Sequence, residues 1–141
     1  MDKETEDYLL TMLFKHEGYS RLPYNDTLGY STIGVGRNLE TVGLSKDEAI
    51  YLLKNDIGTT VRLLEANLDV FVELSNARKI VLINMAFNMG MSRLRLFKKM
   101  IKALEAKDYK KAADEMLDSR WATQVKARAI ELANMMRADG C

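Results

Sequence analysis

Glu17, Asp26 and Thr32 are the side chains whose types and spacing could do chemistry. Two carboxylates and a hydroxyl fall within sixteen residues, on a stretch punctuated by glycines. Two carboxylates on different elements, facing one cleft, are what acid/base hydrolysis of a glycosidic bond requires. One carboxyl must still be protonated near neutral pH, and the other must be ionised and hold a water. Burial would raise the pKa of Glu17, whereas a nearby cation would lower it. Asp26, in a polar turn followed by Thr27, is expected to stay ionised. Thr32 can donate to and accept from the same water. Gly34 and Gly36 remove side chains, so that a sugar could lie against the strand backbone. An acid pair alone is usually solvated surface, and a Gly-x-Gly is usually a tight turn. The ordered string carries the weight.

These residues need elements to hold them. Tyr8, Leu9, Met12 and Leu13 repeat at helical spacing over residues 3–17, with acids early, Lys15 and His16 late, and Gly18 just past the end. Glu17 therefore ends a helix. Asn25-Asp26 and Leu28-Gly29 are turn signals, and Tyr30-Ser31-Thr32-Ile33 and Val35 favour strand, so a small hairpin or three short strands follow. Ser45-Lys46-Asp47-Glu48 is a capping box that opens a helix running to about Ala66. From Ala77 to Met91 the chain is almost wholly apolar, the pattern of a central helix buried all round. Further helices are expected at about 94–105, 108–118 and 120–138.

The bulk numbers exclude several classes. At 141 residues with 48% apolar content, the chain suits one folded domain with a real core. A net charge of +1 gives no argument for nucleic acid. One histidine (His16) and one cysteine (Cys141) make a metal site or disulfide framework improbable, so no metal or cofactor is expected. Asp2, Glu4, Glu6 and Asp7 precede any apolar run, unlike a secretory signal, and no run reaches the length of a membrane span.

The string Glu17-Gly18, then Tyr24-x-Asp26-Thr27-x-Gly29-Tyr30-x-Thr32-Ile33-Gly34-x-Gly36, resembles the catalytic signature of the phage-type lysozymes, glycoside hydrolase family 24. Ser45-Lys46-Asp47-Glu48-Ala49 is similar to the start of the family's long connecting helix. Ile83-Asn84-Met85-Ala86-Phe87-Asn88-Met89-Gly90 is similar to its central helix. Ser119-Arg120-Trp121, Gln124 and Arg128-Ala129 are similar to its late helices.

The resemblance implies a mostly helical α+β fold of two lobes. The small lobe with its β-hairpin and the connecting helix would span about 13–66, and the helical lobe about 67–141 plus the N-terminal helix. It implies a monomeric muramidase that cuts the β-1,4 bond between N-acetylmuramic acid and N-acetylglucosamine in peptidoglycan, with inversion. Glu17 would be the general acid, Asp26 would activate the water, and Thr32 would place it. Arg128 would orient the acid, Phe87 would wall the cleft, and Asn38, Met100 and Glu115 match sugar-contacting positions. The protein would be made in a host cytoplasm, act on the wall after release, and insert in no membrane. Two rivals from other classes are a fold-mate that binds peptidoglycan without cutting it and a helical adaptor whose hairpin glycines are merely structural; a nearer enzymatic rival is a lytic transglycosylase, for which Asp26 and Thr32 have no task.

Some residues depart from the family pattern or invite overreading. The motif usually ends in histidine where this chain has Arg37; the family's histidine makes a structural ion pair, so its loss bears first on stability and not on chemistry. Arg37 could instead touch carboxylates of the peptide stems. His16 lies about 100° round the helix from Glu17 and is expected to be non-catalytic. Trp121 reads as core, and Met85, Met89, Met91 and Met100 as pliable packing. Lys98, Lys99, Lys102, Lys107, Lys110 and Lys111 read as a solvated face, the alternative being attraction to an anionic cell wall, which would make activity salt-sensitive.

Overall fold

The computed structural model describes residues 1–140, so that Cys141, expected as a free terminal thiol, lies outside the described residues. The chain divides into two compact units, Met1–Tyr51 and the rest from Leu52 onward. It is an α+β protein dominated by helix, with one small antiparallel sheet.

The first unit opens with α1, Lys3–Glu17. Asp2 caps it by accepting from the Thr5 amide at 2.7 Å, and Gly18 ends it at φ 74°. That backbone conformation is cheap only for glycine, so the helix stops at Glu17 and leaves it at a carboxyl terminus. The strands β1 (Ser20–Asn25), β2 (Ser31–Gly34) and β3 (Arg37–Asn38) follow in sheet order. Tyr24 faces Thr32, and Thr32 in turn faces Asn38, with an irregularity between Ser20 and Tyr24. The capping box forms as read. The Glu48 amide donates to Ser45 Oγ at 3.1 Å, and the Ser45 amide donates to Glu48 Oε1 at 2.8 Å. It starts α2, Lys46–Asn67, which continues into the second unit.

The second unit continues through a 3-10 turn at Asp69–Glu73 into α3 (Asn76–Met89), α4 (Met91–Leu94), α5 (Lys98–Glu105), α6 (Tyr109–Leu117), α7 (Arg120–Val125) and α8 (Ala127–Ala138). Ser75, Asp108 and Ser119 cap α3, α6 and α7 through their side-chain oxygens. The core is rich in methionine: Met85, Met100, Met116 and Met136 are fully buried beside Leu82, Leu94 and Leu104. A truncation such as Leu82→Ala should cost roughly 2–5 kcal/mol there.

Three expectations need correction. The helix expected from 94 begins at Lys98, because Leu96 and Phe97 bond back to Arg93 and Leu94 in tight turns. The helix expected at 120–138 breaks at Lys126, which takes φ 49° and separates α7 from α8. No glycine or proline marks that break. The central helix is not buried all round: Val81, Leu82, Met85 and Ala86 are buried, whereas Ile80 and Phe87 are each 44% exposed. Its outer side lines a recess instead of the core.

Candidate active site

Glu17, Asp26 and Thr32 all belong to the first unit, each held differently. Glu17, the last residue of α1, is exposed and lines a recess of about 250 Å³ with Gly18, Tyr19, Ser20 and Tyr24. Its carboxylate also lies against the backbone of Gly36. A Cβ added to Gly36 would sit 3.3 Å from Glu17 Oε2, and Gly36 has φ 73°. Gly36 was expected to make room for sugar, but the group occupying that room is the Glu17 carboxylate.

Asp26 is half-buried in the turn between β1 and β2. Its Oδ1 accepts from the amides of Leu28 at 2.9 Å and Tyr30 at 2.8 Å. Its own amide donates to the Tyr30 carbonyl, and its carbonyl accepts from Gly29. One carboxylate oxygen is therefore clamped by backbone. Oδ2 has no protein donor among the described residues and can accept from a water. The turn thus fixes the direction of this carboxylate, as a general base would require.

Thr32 is 3% exposed, and its Oγ1 donates to the Tyr30 carbonyl at 2.9 Å. Its only hydroxyl proton is thus committed. In this geometry Thr32 offers a water lone pairs alone, rather than the donor and acceptor pair expected. Tyr30 links the two residues, since its amide holds Asp26 and its carbonyl holds Thr32.

The other sequence-predicted residues fall as follows. Asn38 ends β3, and its Oδ1 accepts from the Glu40 and Thr41 amides at 2.9 and 3.0 Å, leaving its amide nitrogen for a ligand. Met100 is fully buried, so its side chain offers a ligand no surface and serves as floor to a recess it shares with Glu115. Glu115 is half-exposed. Phe87 and Arg128 line one apolar recess of about 340 Å³ on the second unit with Leu53, Ile57, Ile80 and Ile83. Arg128 Nε donates to Asn84 Oδ1 at 2.9 Å. Asn84 was not read from the sequence as the partner of Arg128, although it is a lone polar side chain between Ile83 and Met85 on an apolar helix. Trp121 is core as expected, its Nε1 donating to Asn88 Oδ1 at 2.8 Å.

Arg37 is spoken for within the first unit. Its guanidinium pairs with Glu48 and donates to the Gly43 carbonyl at 3.0 Å, which leaves peptide-stem carboxylates a poor claim on it. Among the described residues no cluster of His, Cys, Asp or Glu is arranged to hold a metal ion. No described helix is long and apolar enough to cross a membrane.

Comparison with known proteins gives a consistent set of likenesses. The family model described as phage lysozyme matches residues 14–137. A Dictyostelium discoideum protein named "Probable T4-type lysozyme 2" is 34% identical, over 86% of this chain and 88% of that protein. "Probable T4-type lysozyme 1" of the same organism is 32% identical, over 89% of this chain and 91% of that protein. The pre-baseplate central spike protein Gp5 of Enterobacteria phage T4 is 31% identical over 84% of this chain, which spans 25% of that longer protein.

Proposed function

The chain belongs to the phage lysozyme family, and from that membership we propose that it is a muramidase that cuts the β-1,4 bond between N-acetylmuramic acid and N-acetylglucosamine with inversion. Glu17 is the general acid and protonates the leaving glycosidic oxygen. Asp26 takes a proton from the attacking water through Oδ2 as the water adds to the anomeric carbon. Thr32 accepts from that same water and fixes its approach. Inversion requires the water to enter opposite the leaving group, with the carboxyls about 6.5–9.5 Å apart. No metal or organic group is needed for this step, because the two carboxyls carry the proton in and out. The substrate is the glycan strand of the wall, reached after release from the cell that makes the protein.

The observation that carries this reading is the clamp on Asp26. Two backbone amides hold one oxygen of a half-buried carboxylate and leave the other for water, beside a buried threonine tied to the same Tyr30. Asn38, Phe87 and Glu115 are assigned to sugar contacts, and Met100 to the shape of the recess floor. Arg128 is a positioning residue whose own orientation Asn84 sets.

The deciding experiment is clearing of purified peptidoglycan by the natural protein beside Glu17→Gln, with both shown to be folded. Clearing by the natural protein alone, with products that lack the mass signature of an anhydro sugar, supports the muramidase. Clearing by both removes Glu17 from its role. Clearing by neither leaves a protein that binds glycan without cutting it.

A further inference from the structure

Positive charge is unevenly distributed over this nearly neutral chain. Residues 93–111 carry eight basic and two acidic side chains, against thirteen and eighteen in the rest of the protein. Five of those eight cations, together with Arg120, line three adjoining recesses of about 400 Å³ each on the second unit. Arg93 and Arg120 line the first, Lys98 and Lys99 the second, and Lys99, Lys102 and Lys111 the third. Leu96, Phe97 and Ser119 are common to the first two, and Lys99 and Glu115 to the last two. The recesses therefore form one track that runs from α4 and α7 along α5 and α6.

These cations are free to act on a ligand. The ion pairs among the described residues, Arg37–Glu48, Arg78–Asp139 and Arg137–Asp114, use none of them. Asp108, Glu115 and Asp118 are the acids lining the track. Asp108 Oδ1 is already committed to the Lys111 amide as a helix cap, at 3.1 Å. Lys107 adds a charge at φ 57°, a conformation that glycine would hold at lower cost.

We propose that this track binds an extended, phosphate-bearing polymer of the bacterial envelope, and so concentrates the enzyme at the wall it hydrolyses; this rests on the reading of the protein as a wall hydrolase. Exposed lysine ammonium groups are point charges on mobile stems, suited to repeated phosphates in no fixed order. Open recesses in series suit a chain rather than a single small anion. Nucleic acid fits less well, because the rings on the track offer no face for bases. Trp121 is buried, and Phe97 packs edge-on against it at 6.3 Å between centroids.

The test measures binding of the whole chain to poly(glycerol phosphate) and to single-stranded DNA, at low and at physiological salt. Lys102→Glu with Lys111→Glu is compared with the natural protein, and Lys102→Gln with Lys111→Gln serves as the gentler variant should the double reversal fail to fold. Binding of the natural protein to poly(glycerol phosphate) should weaken about tenfold or more between the two salt levels. At low salt the charge reversal should cost about tenfold or more, and the neutral variant less. Clearing of phosphate-free peptidoglycan should stay within about twofold of the natural rate, since neither lysine is among the residues assigned to the acid, the base, the water or the sugar contacts. Unchanged affinity in the variants overturns the proposal, as does tighter binding to DNA than to poly(glycerol phosphate). Failure of the natural protein to clear phosphate-free peptidoglycan would instead strike the hydrolase reading, and the binding arm would still judge the track.

Discussion

Arg37 and Glu48 form a two-pronged ion pair, with Nη2 2.5 Å from Oε2 and Nη1 2.8 Å from Oε1. Arg37 opens β3, and Glu48 belongs to the capping box that starts α2, so the pair fastens the sheet to the helix start. The Arg37 hydrogen bonds, followed by those from Ser45, hold the Glu48 carboxyl down to about 2 from an ordinary 4.5. A depressed carboxyl pKa stabilises the fold above the unfolded value, and the contribution is lost as pH falls through the folded one. The melting temperature should therefore fall from about pH 4.5 towards pH 2, where Glu48 takes up its proton. Glu48→Gln keeps an acceptor for the cap but not the charge. It should melt a few degrees lower at neutral pH and show a flatter acid limb. Parallel melting curves for the two proteins across that range would remove the pair from the stability of the small unit.

Gly36 is held open for Glu17. A methyl group there would stand 3.3 Å from the carboxylate oxygen on a backbone at φ 73°. Gly36→Ala should cost about 1–2 kcal/mol in stability through the backbone alone. It should also lower kcat by about tenfold or more with KM little changed, because the acid is displaced while the sugar contacts remain. Gly90→Ala is the control, being also left-handed, at φ 87°, but with nothing near its Cβ and no part in the turn that holds Asp26. Equal kinetic losses in the two variants would mean that strain, not displacement of Glu17, is responsible.

Asp26→Asn separates the turn from the chemistry. The amide oxygen can still accept from Leu28 and Tyr30, so stability should change by less than about 1 kcal/mol. The negative charge that takes the water's proton is gone, and kcat should fall by about 10²–10⁴. Near-native turnover with an intact melt would leave Asp26 a turn residue only. Thr32→Val should behave differently. It removes the bond to the Tyr30 carbonyl in a buried place, costing about 1–3 kcal/mol, and loosens the turn that carries Asp26.

Much of this was legible because local chemistry decided it. Gly18 had to end α1, Asn25-Asp26 had to turn, and Ser45 with Glu48 had to cap, each through bonds spanning a few residues. The unread parts depend on partners far along the chain. Nothing in the sequence near Lys126 marks the break between α7 and α8. Arg37 could be paired with Glu48 only once the sheet had turned it towards the start of α2. Met100 was read by position as a sugar contact, yet it is buried under α5, because the amphipathic pattern of that short helix places Met100, Ala103 and Leu104 inward. Thr32 was read correctly as a hydroxyl beside the turn, but the direction of its proton follows from the strand register.

Arg78 ties α3 to α8 through several polar contacts at once. Its Nε donates to the Met136 carbonyl at 2.8 Å, its Nη1 lies 3.4 Å from Asp139 Oδ2, and its guanidinium carbon stands 3.6 Å over the Tyr109 ring. It thus joins the first turn of α3 to the last turn of α8, where unpaired carbonyls favour a cation. Its side chain is 11% exposed, so these contacts are little screened. Arg78→Met should cost about 2–3 kcal/mol by leaving a terminal carbonyl without its charged donor and the ring without its cation. Arg78→Lys should recover under half of that, since an ammonium cannot donate along α8 and lie flat on the ring together. Asp139→Asn should cost less than about 1 kcal/mol, because Asp139 is 43% exposed and its pairing competes with water. Denaturant melts of the three variants give the ranking. A loss for Asp139→Asn as large as for Arg78→Met would mean that the ion pair, rather than the carbonyl and the ring, holds α8 in place.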